Sequence, residues 1–200
     1  MISADSPFYG VPSQISDLSN SLVDFVERAV GIRPDYSPDT LSIVDHFSQL
    51  AHAELSDRPE VSDLTAQALG AYFGEVLRRS EGAFWQVPNA NFHNWSLCGV
   101  SSFVMINPIG VGYDALYATT GHQGPSSQLK LAPEDRQMVN ARLASLPPTR
   151  DTEYFTLCTR LEVIQITMEC VLGEQNKRGY DDMVFTADDY SNELRPLGEL

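Results

Sequence analysis

Basic side chains are scarce in this 200-residue chain: 13 lysines and arginines stand against 27 aspartates and glutamates, a formal net charge of -14. That shortage argues against a nucleic-acid or anionic-membrane partner, because both carry dense negative charge. Long hydrophobic runs are also missing. No window approaches the roughly 18 apolar residues of a membrane span. The richest stretch, Leu157 to Leu172, is broken by Arg160, Glu162, Gln165 and Glu169. The start, MISADSPFYG, lacks the basic residues and apolar run of a secretory leader, so a cytoplasmic location is expected. Cysteine is sparse. Cys98, Cys158 and Cys170 are widely spaced and form no CxxC pair, which suits free thiols in a reducing compartment rather than a disulfide framework. Neither HExxH, GxxxxGK[ST], GxSxG nor a GxGxxG following a strand occurs, so the common metalloprotease, nucleotide and hydrolase templates gain no support. His46 and His52 are six apart, about 120° around a helix, and read as surface residues rather than metal ligands. The reading implies no metal and no cofactor.

What the chain does hold is enough apolar side chain (42%, with 10% aromatic) for one core. Residues 1–65 carry a net -8, residues 66–173 a net -2 and residues 174–200 a net -4. The middle is nearly neutral and the ends are acidic, which favours a basic protein partner. The organisation expected is a single domain over 1–173 with an acidic polar tail over 174–200 in which some order, around Met183–Phe185, is possible.

Residues 1–12, with Pro7, Gly10 and Pro12, read as an irregular lead-in. Apolar residues at three- and four-residue steps predict a helix over Ser13–Val30, stopped by Gly31. Ser37 and Pro38 predict a capped helix start, running to about Leu55 and burying Leu41, Val44, Phe47 and Ala51. A third helix starts at Asp57–Pro59 and ends near Ser80, before Gly82. AFWQV (83–87) and VSSFVMI (100–106) read as strands; the stretch between them reads as a loop with a short strand or bulge. Asn107–Pro108 starts another helix, 121–131 is a polar loop, and Pro133–Leu146 is helical up to Pro147. Over Thr152–Leu172 the 3.6-residue period outweighs the strand-like EVIQIT, and Gly173 is the expected stop. These elements make an α+β protein, mainly helical, with a small central antiparallel sheet.

The most organised stretch is LGAYFGEVLRRSEGAFW (69–85). Gly70 and Gly74, each costing about 1 kcal/mol against alanine in a helix, point to close approach of another segment. Glu75 lies on a second, small-residue face of the helix, with Leu64, Ala68 and Ala71. If that face is covered, its carboxylate needs a partner, and Arg78 and Arg79 stand three and four residues on. Left unpaired, it would be a candidate acid or base. Trp85 either anchors the helix to the sheet or, exposed beside Phe92 and Trp95, forms an aromatic rim. His93 and Cys98 share one loop region, and a cysteine–histidine pair is a possible nucleophile. Glu75, Arg78, Arg79, Trp85 and His93 are therefore the candidate site residues.

PDYSPDTLSIVDHF (34–47), ALGAYFGEVLRRSEGAFW (68–85) and FVMINPIGVGYD (103–114) together resemble a group of uncharacterised bacterial cytosolic domains. These have a capped helix, a glycine-bearing helix, a Gly-x-x-Trp turn into a strand and an Asn-Pro segment. The resemblance spans residues 34–118. It implies a bacterial α+β unit without an assigned activity, and some domains of this look are immunity proteins that neutralise toxins. Two functions are expected from these observations. One is a small acidic binding protein, immunity-like in one form, which predicts a flat or grooved acidic patch and a Glu75 paired to arginine. The alternative is a small hydrolase or transferase using Glu75 or Cys98/His93, which predicts a deep pocket with an open Glu75 or Cys98.

Overall fold

The computed structural model describes residues 10–55, 57–150, 153–180 and 182–193. The lead-in reading of residues 1–12 lies largely outside them. Helix α1 (Ser13–Val30) has the expected bounds. Ile15, Leu22, Val23 and Val26 are buried along one stripe, and Gly31 ends the helix in the left-handed conformation, with its N–H donating to the Glu27 carbonyl at 2.9 Å. Left-handed backbone costs glycine little, so the stop is local. Helix α2 (Leu41–Leu55) buries Leu41, Val44, Phe47 and Ala51. Its entry differs from expectation. Residues 38–40 form a tighter 3₁₀ turn, and the Ser37 side chain caps nothing. Asp35 instead braces the turn just before it, its carboxylate accepting from the Ser37 N–H at 2.9 Å and the Thr40 hydroxyl at 3.4 Å. A carboxylate two residues before an N–H closes this kind of Asx turn without help from serine.

Helix α3 (Pro59–Glu81) is the centre of the molecule. Every residue from Ala68 to Leu77 is buried, so its walls are covered nearly all round. Leu64, placed by its spacing on a covered face, is instead 46% exposed; cover begins a turn later. Gly82 ends the helix with φ 69°, and the chain turns directly into β1 (Ala83–Gln86). Strands β2 (Ser96–Gly99), β3 (Val104–Ile106) and β4 (Lys130–Leu131) follow, all antiparallel, in the spatial order β1-β2-β3-β4. The 100–106 segment is strand only from Val104. Residues 100–103 turn the β2–β3 connection, so β2 lies where a loop with a short strand or bulge was expected.

Pairing fixes the two faces of the sheet. Trp85 sits opposite Leu97 and Leu97 opposite Ile106; all three join the main core around α3. Phe84, Cys98 and Met105 point the other way. Helix α4 (Pro108–Tyr117) crosses α3, started by Asn107, whose side chain accepts from the Ile109 N–H. Here the glycines find their reason. A Cβ on Gly70 would lie 2.4 Å from the Ile109 Cα, and one on Gly112 would lie 2.2 Å from the Ala66 carbonyl oxygen.

Helix α5 (Arg136–Ala144) is shorter than the 133–146 expectation, because residues 133–135 form a turn. Helix α6 (Leu157–Lys177) runs through Gly173, which is not its stop; the left-handed glycine beyond it is Gly179, φ 84°. The start of α6 is tied to α2, since the Asp45 carboxylate accepts from the N–H groups of Leu157 (2.6 Å) and Cys158 (3.1 Å). Helix α7 (Ala187–Glu193) brings Phe185 and Tyr190 onto the outer sheet face. The Tyr190 hydroxyl donates toward the Gly99, Ser102 and Val104 carbonyls and accepts from the Val104 N–H at 3.1 Å. The whole is α+β and mainly helical, with one small antiparallel sheet.

Candidate functional site

The helical repeat puts Glu75, Arg78 and Arg79 on one side of α3. The Glu75 carboxylate is 2% exposed. Arg78 grips it with two bonds, Nε to Oε1 at 2.9 Å and Nη2 to Oε2 at 3.0 Å. The Trp85 indole N–H donates to Oε1 at 2.9 Å, and Arg79 Nε stands 3.6 Å from Oε2. Gly74 permits this: a Cβ there would fall 2.2 Å from Cζ2 and 2.5 Å from Cη2 of Trp85, so that edge of the indole closes on the bare backbone and its N–H reaches the next residue. Arg79 is stacked 4.1 Å over the Tyr36 ring, which is itself stacked on Tyr72 at 4.8 Å. Glu75, Arg78, Arg79 and Trp85 thus form one charge-assisted cluster joining helix to sheet. Trp85 is the buried anchor, not part of an exposed rim; Trp95 is buried too.

His93 is not brought to this cluster, nor to Cys98. It is exposed in a turn over 92–94, stacked on Phe92 at 4.9 Å. It borders a polar hollow of about 490 Å³ on the outer sheet face, with Gln86, Ser96 and Lys130. Cys98 lies fully buried beneath Phe84 and Tyr190, and burial pushes its thiol up to about 12. A thiol so held is not the thiolate that nucleophilic chemistry requires.

A second polar cluster was not legible in the sequence. Asp114, 1% exposed on apolar α4, accepts from Arg160 Nη2 of α6 at 2.7 Å, from the Ser127 hydroxyl, and from His122 Nε2 at 2.8 Å. The Gly124 N–H donates to His122 Nδ1 at 3.1 Å, which assigns the ring proton to Nε2. Serine, histidine and aspartate meet here, but with aspartate in the middle. The serine hydroxyl donates to the carboxylate and its oxygen accepts from Arg160 Nη2 at 2.7 Å; among the described residues no histidine stands against it, so the serine–histidine–aspartate order that activates a nucleophile is absent. The cluster pins the 121–127 loop onto α4 and α6. The available signal was a lone carboxylate inside the apolar run IGVGYDALY.

The open concave surface nearest the acidic N-terminal part lies between α1, α2 and α3. Its volume is about 430 Å³, and Phe25, Phe47, Leu50, Leu55 and Val61 line it. Leu50 is 41% and Val61 46% exposed. Around the α2–α3 connection Glu54, Asp57, Arg58 and Glu60 are exposed, Arg28 lines the groove beside Glu54, and none of these five is in an ion pair among the described residues. Among the described residues there is also no group of three histidine, cysteine or acidic side chains placed to hold a metal, and no helix long and apolar enough to cross a membrane. Compared with protein-family models, with curated proteins and with solved structures, the chain matches none.

Proposed function

We propose that this chain is a small acidic binding protein of the cytoplasm that takes a basic segment of a partner protein in the α1–α2–α3 groove. The observation that carries the reading is the combination at that groove: half-exposed Leu50 and Val61 on an apolar floor beside Glu54, with Asp57 and Glu60 exposed close by, so that carboxylates without an ion pair among the described residues outnumber the cations Arg28 and Arg58 there. Exposed apolar side chains rimmed by charge are the usual make-up of a protein interface. Carboxylates without internal partners attract a cationic one. Immunity-like inhibition of a basic toxin is the specific form suggested by the resemblance over residues 34–118. No observation favours the hydrolase or transferase alternative, since Glu75 is saturated by Arg78 and Trp85 and the Cys98 thiol is buried.

Affinity purification from expressing cells tests this, with the tagged protein beside a Glu54→Lys, Asp57→Lys, Glu60→Lys variant. The expected result is a basic protein held by the wild type, released as salt is raised toward about 1 M, and lost from the variant. Equal retention by the two proteins, or no specific protein on either, would sink the reading.

A further inference from the structure

We infer that the open edge of the sheet, strand β4, is a docking groove for an extended acidic peptide of a partner protein. This surface shares no lining residue with the α1–α2–α3 groove and stands independently of the function proposed for it.

Strand β4 is the last in the sheet and is bonded on one side only. In an antiparallel pair, residues alternate between those that exchange both backbone bonds and those whose backbone groups point away. Val104 lies opposite Leu131 and Met105 opposite Lys130. The N and O of Val104 both stand 3.1 Å from the Tyr190 hydroxyl, which also donates to the Gly99 carbonyl of β2 at 2.8 Å, so the Val104 backbone groups face β2 and not β4. Val104–Leu131 is therefore the non-bonded pair, and the N–H and C=O of Leu131 point to the open edge. A strand laid along this edge finds one donor and one acceptor, those of Leu131, placed as in an antiparallel pair.

The other wall of the groove is helical. Arg136, Val139, Asn140 and Leu143 of α5 recur at the i, i+3, i+4, i+7 positions of one helix face. With residues 128–131 they enclose about 360 Å³. Leu129, Leu131, Val139 and Leu143 supply an apolar floor. Lys130 and Arg136 are exposed at its rim, and neither is in an ion pair among the described residues. No carboxylate lines the groove, although the chain has 27 acidic residues. Cations left without an internal partner in so acidic a chain select an acidic occupant. Backbone pairing supplies affinity in this mode of recognition, and the side chains supply selection.

The probe is a fluorescein-labelled octapeptide of alternating valine and glutamate, compared by fluorescence polarisation with its valine–lysine counterpart and with a version N-methylated at alternate residues. The intact protein and a Lys130→Glu, Arg136→Glu variant, both checked by circular dichroism, are titrated with each. Binding of the acidic peptide alone is expected, weakened at least about tenfold both by the double substitution and by N-methylation. Three results would overturn the inference: no binding of the acidic peptide, binding insensitive to N-methylation, and undiminished binding to the variant. Self-association of the wild type that the variant abolishes would also overturn it, by making a second copy the occupant.

Discussion

Two donors, the Trp85 indole N–H and the Arg78 guanidinium, close on the single carboxylate of Glu75 in a site almost without solvent. Removing that carboxylate leaves both stranded, and an uncompensated buried charge is costly. Glu75→Ala is expected to lower the unfolding free energy by about 3 kcal/mol or more, measured by urea denaturation. Glu75→Gln, which keeps an oxygen for the indole but loses the charge, should fall between the two. An unchanged midpoint in the alanine variant would mean that the cluster contributes nothing to stability. Half of this arrangement was legible in the sequence, because Arg78 and Arg79 are three and four residues from Glu75 on a helix and the repeat brings both within reach; that Arg78 makes the two close bonds was not. The Trp85 bond was not. It depends on how the chain re-enters beyond Gly82 and on the ring lying over Gly74.

Between elements, the α3–α4 crossing rests on backbone against backbone. Gly70→Ala would drive a methyl group to within 2.4 Å of the Ile109 Cα and 2.5 Å of the Pro108 carbonyl oxygen. A whole helix would have to move, and a loss of about 3 kcal/mol is expected. Gly173→Ala is the counterpart. It lies inside α6 with nothing within 4 Å of the added Cβ, and should gain roughly 0.5–1 kcal/mol by stiffening the unfolded chain. Thermal melts of the two variants should shift in opposite directions; a neutral Gly70 variant would contradict the close crossing. The same residue shows why helix ends are only partly legible. Gly31, Gly82 and Gly179 adopt positive φ, whereas Gly173 keeps helical geometry, and composition does not distinguish the two. Strand β4 has two residues, too few for any period, so only its pairing with β3 defines it.

Across the whole molecule, Phe185 and Tyr190 cover the outer sheet face, linking the acidic C-terminal part to a sheet formed some ninety residues earlier. Cys98 reports on that cover. Burial holds its thiol at about 12, so it should resist a thiol reagent at pH 8 in the folded protein and react once urea is added. Tyr190→Ala removes both the ring and the hydroxyl that ties Gly99, Ser102 and Val104 together. Labelling of Cys98 in that variant is expected to become faster by at least about tenfold, since exchange-type access follows the free energy of local opening. Mass-spectrometric site assignment separates it from Cys158 and Cys170. Equal rates would show that α7 does not guard this face.

The sequence by itself determined the helices α1 to α4 and the mainly helical α+β class, and put Arg78 and Arg79 within reach of Glu75, because helix periodicity, end signals and i to i+3 or i+4 contacts act within a few residues. Only the tertiary structure decided which backbone Gly70 admits, that Asp114 gathers Ser127, His122 and Arg160, and that β4 ends the sheet with an open edge. Those contacts join different elements, from 8 residues apart for Asp114–His122 to 46 for Asp114–Arg160. Their formation depends on how several helices pack at once, and no local period records it.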